Sequence, residues 1–439
     1  MTTYFPHLAE TVHSQRDRLP AVYGDFDFDA VPERFTTDPA VESALPRRVA
    51  AREPFLDDPE LVELMKTATF LGDVPADAYA ALSASHSMKQ LIGMLTRACR
   101  HGVDAVADAP AELTAFIDDL EATPDWIDMS LVADGARRAR VEAALLSPFI
   151  TRGAFIATFT NTYAALPMAL TGALSGARAA HRVNETTSFF ALTAMPGALD
   201  RFGPGFEAAA MVRLMHSMVR FHALTKSDKW DAAVYGLPVP QVDQMPAGLI
   251  GMYLQAQRVI RDGRTTFTSG ERALVEFARY RCFLLGLPEE LVPSEPHDIV
   301  RAFHGRAAVL RHGFDDETCG RLVRSTMAAY LRPSDSRFDR MADAVERSFS
   351  ALAFTIAFCG GNRTAAAGMG VELGLSDVAR IAATGPFIVG RYLAVRAGNR
   401  IPMLRDPIDR YLVRLLAKRL VTYGKPEFTS DAATYTPSV

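Results

Sequence analysis

The sequence predicts an all-α protein, and three observations predict it. Apolar residues recur at three- and four-residue spacing through most of the chain. Alternating strand patterns bounded by turns are almost absent. Proline and glycine fall between the periodic segments, as in Gly236-Leu237-Pro238-Val239-Pro240 and Gly286-Leu287-Pro288.

The elements follow in order. Residues 1–52, rich in Pro, Asp and aromatics such as Phe26, Phe28 and Phe35, suggest an extended arm wrapping a core. Helical periodicity then runs over 61–70, 77–100, 111–120, 129–146, 152–166, 168–180 and 184–194. It continues over 206–224, 248–260, 269–287, 297–310, 316–331, 337–358, 375–397 and 406–419. The tail 426–439 reads as irregular. No Gly/Ser linker, charge block or repeat divides the chain, so residues 53–425 are expected to form one large helical domain.

Composition bounds the partners. The 439 residues carry 47 Lys+Arg against 51 Asp+Glu, a net charge of −4, which argues against nucleic acid as the main partner. Counted with Gly and without Tyr, apolar residues make up about 53%, above the roughly 45–50% of globular domains, which leaves more apolar surface than a core of this size requires, and 22% charged residues exclude a disordered chain. Cys99, Cys282, Cys319 and Cys359 lie far apart without a pairing pattern, as unlinked buried thiols of a reducing compartment would. The first residues carry charge and no apolar core of signal-peptide length, so the cytoplasm is the expected location. The uncharged stretch 153–177 matches a bilayer in length, but its Thr, Asn, Ser and Pro content, flanked by Arg152 and Arg178, fits a buried helix pair rather than a transmembrane segment.

Several motifs fail. Gly368-Met369-Gly370 is followed by Gly374, one residue late for a dinucleotide fingerprint, and no strand precedes it. Ser175 in Gly172-Ala173-Leu174-Ser175-Gly176 lacks the G-x-S-x-G of a nucleophile elbow. Only Glu10-Thr11-Val12-His13 matches a Glu-x-x-His element, so a di-iron bundle is not encoded.

One helix carries chemistry. Residues 206–224 are apolar on nearly all sides, and into this run are set Arg213, His216 and Arg220, three and four residues apart. Neighbouring positive charge opposes protonation of His216 and keeps a nitrogen lone pair available. Buried arginines need an anion. A haem meets both demands, its iron taking the imidazole and its propionates the guanidiniums. A core histidine flanked by arginines paired to carboxylates on other helices meets them equally, and spacing alone does not separate the two. His222, six residues on, points off this face and reads as structural.

The run Met211-Val212-Arg213-Leu214-Met215-His216-Ser217-Met218-Val219-Arg220, then Trp230-Asp231 and Gly236-Leu237-Pro238-Val239-Pro240-Gln241, resembles the core signature of the latex clearing proteins. These bacterial rubber oxygenases share a domain family with the fungal oxygenase of the mycophenolic acid pathway. Gly72-Asp73-Val74-Pro75-Ala76-Asp77 resembles an upstream element of that family. The resemblance implies a globin-related core with additional helices holding haem b, with His216 as the proximal iron ligand and Arg213 and Arg220 near the haem. It also implies O2 as co-substrate and attack on the double bond of an apolar, isoprenoid-like small molecule, including C=C cleavage.

On the distal side the family carries Arg-x-x-Lys-Thr. Here the element reads Arg182-Val183-Asn184-Glu185-Thr186, so a carboxylate replaces the lysine, and the preceding helix region 155–177 lacks the family's catalytic glutamate. Glu185 could accept a proton, pair with Arg182 or hold a polar substrate group. The departure brings in a monooxygenase or peroxidase-like enzyme of a biosynthetic pathway as a second reading, and a non-catalytic haem-binding or gas-sensing protein as a third. The sequence leaves substrate, electron donor and oligomeric state open.

Overall fold

The computed structural model describes residues 3–172 and 178–424. Among them every regular element is helical. The only ladder pairings among the described residues are the isolated antiparallel bridges Phe35 to Leu310 and Ser43 to Arg311. The expected irregular tail at 426–439, and Ser175 and Gly176 of the rejected elbow motif, lie outside the described residues.

The helices gather into two compact units, each built from two stretches of chain. The first comprises Met1–Gly135 and Asp200–Gly313, the second Ala136–Leu199 and Phe314–Val439.

In the first unit the segment expected as an extended arm begins instead with the helix Pro6–Arg18. Proline at its first position costs no backbone hydrogen bond there, and Leu8, Val12 and Gln15 at three- and four-residue spacing are buried along one face. The periodic segment 77–100 is two helices, Val74–Ala81 and Met88–His101. Asp73 caps the first, and a reciprocal Ser87–Gln90 capping box opens the second, local side-chain bonds that outcompete continuous apolar periodicity. Val74–Ala81 packs against Ala111–Glu121 and against the long helix Pro204–Thr225. Gln241–Arg261 packs against Ser269–Leu284 and Pro296–Val309. The fully buried Tyr79, Phe116 and Phe206 belong to the core this leaves inside.

In the second unit Ser147–Ile156 lies against Arg337–Ala357. Gly153 makes the close approach: a Cβ there would stand 2.5 Å from the Ser350 carbonyl oxygen. Arg152 reaches Asp343 in a buried ion pair beside it. The uncharged stretch is not one helix, since Ser147–Ile156 gives way to a 3-10 turn at Ala157–Phe159 and, after the cap Asn161, to Thr162–Leu170. Ile156, Phe159, Val183 and Phe354 share a core cluster. The segment expected at 184–194 is the longer helix Arg178–Thr193, packed on Pro402–Tyr423. All four cysteines are buried and unbridged.

Candidate functional site

Helix Pro204–Thr225 opens on proline at its first position and buries most of its length. Arg213, 3% exposed, holds Asp73 in a fork, with Nε 2.5 Å from Oδ2 and Nη2 2.7 Å from Oδ1. Its Nη2 also stands 2.6 Å from Asp119, and the guanidinium lies over the Phe116 ring. Despite burial, these carboxylates raise the Arg213 pKa further. Arg220, wholly buried, pairs with Asp77 and donates from Nη2 to the Val239 carbonyl at 2.6 Å and from Nε to the Pro238 carbonyl at 3.1 Å. Tyr23 donates to the other Asp77 oxygen.

The anion required by two buried arginines is therefore supplied largely by protein carboxylates. Asp73 and Asp77 come from the Gly72–Asp77 element, four residues apart at the start of Val74–Ala81. Haem propionates, expected as partners of both arginines, find Arg220 fully engaged. Arg213 keeps one buried donor, Nη1, without a partner among the described residues. Val239 sits at φ 49°, strained for a β-branched residue, and its carbonyl accepts from Arg220.

His216 has a different environment. Its Nδ1 lies 2.8 Å from Oε1 of Gln244, whose Nε2 donates to Oε1 of Gln241 at 2.8 Å, whose Nε2 donates to the Gly72 carbonyl at 3.3 Å. The far end of this chain is a carbonyl, which can only accept. Each amide is thereby oriented in turn, and Gln244 presents an oxygen to the ring. Nδ1 must carry the proton, and in the neutral imidazole Nε2 carries the lone pair.

Gly286 closes the cluster, at φ +88°, where an added Cβ would stand 2.7 Å from Asp73 Oδ2 and 2.9 Å from Arg213 Nε. Gln241 and Gln244 are buried. Sequence reasoning missed Gln244, Asp119 and the roles of Asp73, Asp77 and Gln241, although the last three stand within the elements that carry the family resemblance.

Arg213 and Arg220 turn toward Val74–Ala81, whereas His216 is partly open, together with Val212, Met215 and Val219 on adjoining positions of the same helix. An imidazole at the edge of a partly open apolar strip is compatible with haem, which brings four nitrogen ligands of its own and needs one from the chain. No group of three or more His, Cys, Asp or Glu able to hold a bare metal ion occurs among the described residues.

In the second unit Arg182, Glu185 and Thr186 share one turn of Arg178–Thr193. Glu185 is buried, with Oε2 3.7 Å from Arg182 and Oε1 3.1 Å from Nε2 of His181, a partner the sequence reading did not include. Thr186 donates to the Arg182 carbonyl at 3.3 Å and accepts from Arg182 Nη1 at 3.3 Å. Burial lowers the Arg182 pKa from its ordinary value, partly offset by Glu185.

The model of the family described as "ER-bound oxygenase mpaB/B'/Rubber oxygenase, catalytic domain" matches residues 141–389, more than half of the chain and including both His216 and Glu185. The chain belongs to this oxygenase family. A solved structure titled "Structure of Latex Clearing Protein LCP in the closed state" is similar with a TM-score of 0.56 and 16% identity, covering 80% of this chain and 91% of that one. At that identity the likeness shows a shared fold. A search of curated proteins finds no match.

Proposed function

We propose that this rubber-oxygenase family member is a haem b enzyme that uses O2 on an apolar, unsaturated, isoprenoid-like substrate, with His216 as the protein ligand to iron. The observation that carries the reading is the directed chain from Gly72 through Gln241 and Gln244 to Nδ1 of His216. It leaves Nε2 as the lone-pair nitrogen, the state a metal-ligating histidine needs, with its ring held by an acceptor behind it. Family membership supports oxygenase chemistry, and the family's rubber oxygenases support an apolar substrate.

Bound haem would supply the binding and activation of O2. The chain's own residues divide the remaining work. Gln244 and Gln241 orient the imidazole, while Val212, Met215 and Val219 offer apolar surface beside it. Arg213 Nη1 is the one donor of the arginine pair left for an anionic edge. Glu185 can take or give a proton at Oε1, next to His181, with Arg182 3.7 Å from its other oxygen. That carboxylate with an imidazole partner, at the position where the rubber oxygenases have lysine, favours a monooxygenase or peroxidase-like enzyme as the second reading. Four buried, unbridged cysteines suit a reducing compartment such as the cytoplasm.

The test is a spectrum of the purified protein after haem supplementation. A Soret band that changes its axial signature in His216→Ala is the expected result; no Soret band in the unaltered protein ends the haem reading. Incorporation of both atoms of labelled O2 into product marks dioxygenation, and of one atom the second reading.

A further inference from the structure

The C-terminal helix pair of the second unit presents an apolar face whose surroundings select what covers it. Helix Leu375–Gly398 contains no buried residue. One side of it is anchored: Asp377 accepts from Ser348 at 2.7 Å, Tyr392 donates to Glu142 at 2.9 Å, and the helix packs on Arg337–Ala357 and Pro402–Tyr423. The other side is open, with Leu375 90% and Phe387 73% exposed and Val378, Val389 and Leu393 beside them. Its charged residues, Asp377, Arg380, Arg391 and Arg396, are each partly covered. The next helix exposes Met403, 87%, and Val421, 84%, near its two ends, with the exposed Arg410, Arg414 and Lys418 between them on the same helical face. Burying such side chains contributes roughly 25 cal/mol per Å² of apolar area, so a face of this size is built to be covered.

Charge decides by what. Residues 375–423 hold nine Lys+Arg against three Asp+Glu, a balance of +6 within a chain whose total is −4. Arg400, Arg410, Arg414 and Lys418 are exposed and have no ion-pair partner among the described residues. A second copy of the chain across a two-fold axis would set this charge against itself. One helix apolar on its open side, followed by one that exposes a basic row, matches a helix pair lying in the headgroup region of an anionic bilayer.

Leu375–Gly398 is also the one described helix long and apolar enough to cross a membrane by length and composition. Its anchored side and its three arginines fit lying on a bilayer rather than crossing it. We infer that the helices Leu375–Gly398 and Pro402–Tyr423 form a docking surface for membranes rich in anionic lipid, seating the apolar side chains around Phe387 and Met403 among the acyl chains with the arginines at the phosphates.

The experiment is flotation of the full chain with vesicles of phosphatidylcholine alone and of phosphatidylcholine with phosphatidylserine, at low and high salt. Binding to the anionic vesicles, weakened by salt, is expected. The triple change Arg410→Gln, Arg414→Gln, Lys418→Gln should lower partitioning roughly a hundredfold, at about fivefold per basic residue. Phe387→Glu with Leu393→Glu should abolish it while circular dichroism and thermal unfolding stay unchanged. Equal binding to both vesicle types, or none to either, overturns the inference. So does a concentration-dependent dimer by light scattering that the Phe387 and Leu393 changes dissolve, since the face would then cover itself.

Discussion

Gln244 places its carbonyl oxygen, not its amide nitrogen, against Nδ1 of His216 at 2.8 Å, because its nitrogen is committed to Gln241. The tautomer of a helix histidine is thus set by a backbone carbonyl at Gly72, two glutamines away. Replacing Gln244 by leucine removes the acceptor at little cost in volume. Haem affinity is expected to fall about 10- to 100-fold, the usual effect of losing such a partner, with a shifted iron–histidine vibration in the ferrous protein. Selective nitrogen-15 labelling of the haem-free protein checks the same point independently: His216 should be protonated at Nδ1 in the parent and mixed in the variant. An unaltered tautomer and affinity would falsify the positioning role.

Asp77 and Arg220 are both without solvent exposure. Removing one partner of a buried pair costs about 3–5 kcal/mol, because the other charge stays buried alone. Arg220→Ala should therefore lower the unfolding free energy, read by denaturant titration, by that much, and Asp77→Ala should do the same. If the double variant loses the sum of the two rather than about one of them, the residues do not act as a pair.

Gly286 stands where no side chain fits, at positive φ and against Asp73 and Arg213. Gly286→Ala is expected to destabilise by roughly 1–3 kcal/mol through backbone strain and displacement of the ion pair. Wild-type stability, read by chemical denaturation, would mean the loop shifts freely.

His222 is buried, and that burial, with Lys226 nearby, pushes its pKa from 6.5 down to about 4. Between these values the unfolded chain binds a proton that the folded one refuses. Stability from this group is complete above the unfolded value and is lost as pH falls toward 4, by about 3 kcal/mol at most. His222→Gln should flatten the stability profile across this window; a parallel profile assigns the slope to other groups.

Glu185 tests the proposed chemistry of the second unit. Glu185→Gln keeps the size and hydrogen-bonding capacity of the side chain but cannot carry a proton between partners. Turnover is expected to drop by about 10²- to 10⁴-fold with haem content preserved. Full activity would leave Glu185 as an ion-pair partner of Arg182 and His181 alone.

The helices with strong apolar periodicity were legible from the chain, and so was the Arg213, His216, Arg220 spacing. Boundaries set by polar caps were not. Ser87 starts a second helix inside one apparently continuous periodic run, and Asp73 starts the first a few residues ahead of it, since a cap is one side-chain hydrogen bond and barely alters apolar spacing. Pro6–Arg18 was missed for a related reason: its mean polarity hides a three-residue buried stripe. His181 escaped because an ion pair four residues apart is common on exposed helices and marks nothing by itself.

By itself the sequence determined the all-α class and the buried histidine helix with its two arginines. Each is a property of residues near one another in the chain, where periodicity and charge can be counted. Only the tertiary structure decided what the arginines bind and which nitrogen of His216 carries the proton. Asp73 lies 140 residues from Arg213 and Gln244 lies 28 from His216. Burial demands a partner for each polar group, but the identity of that partner is fixed by packing, which spacing along the chain does not encode.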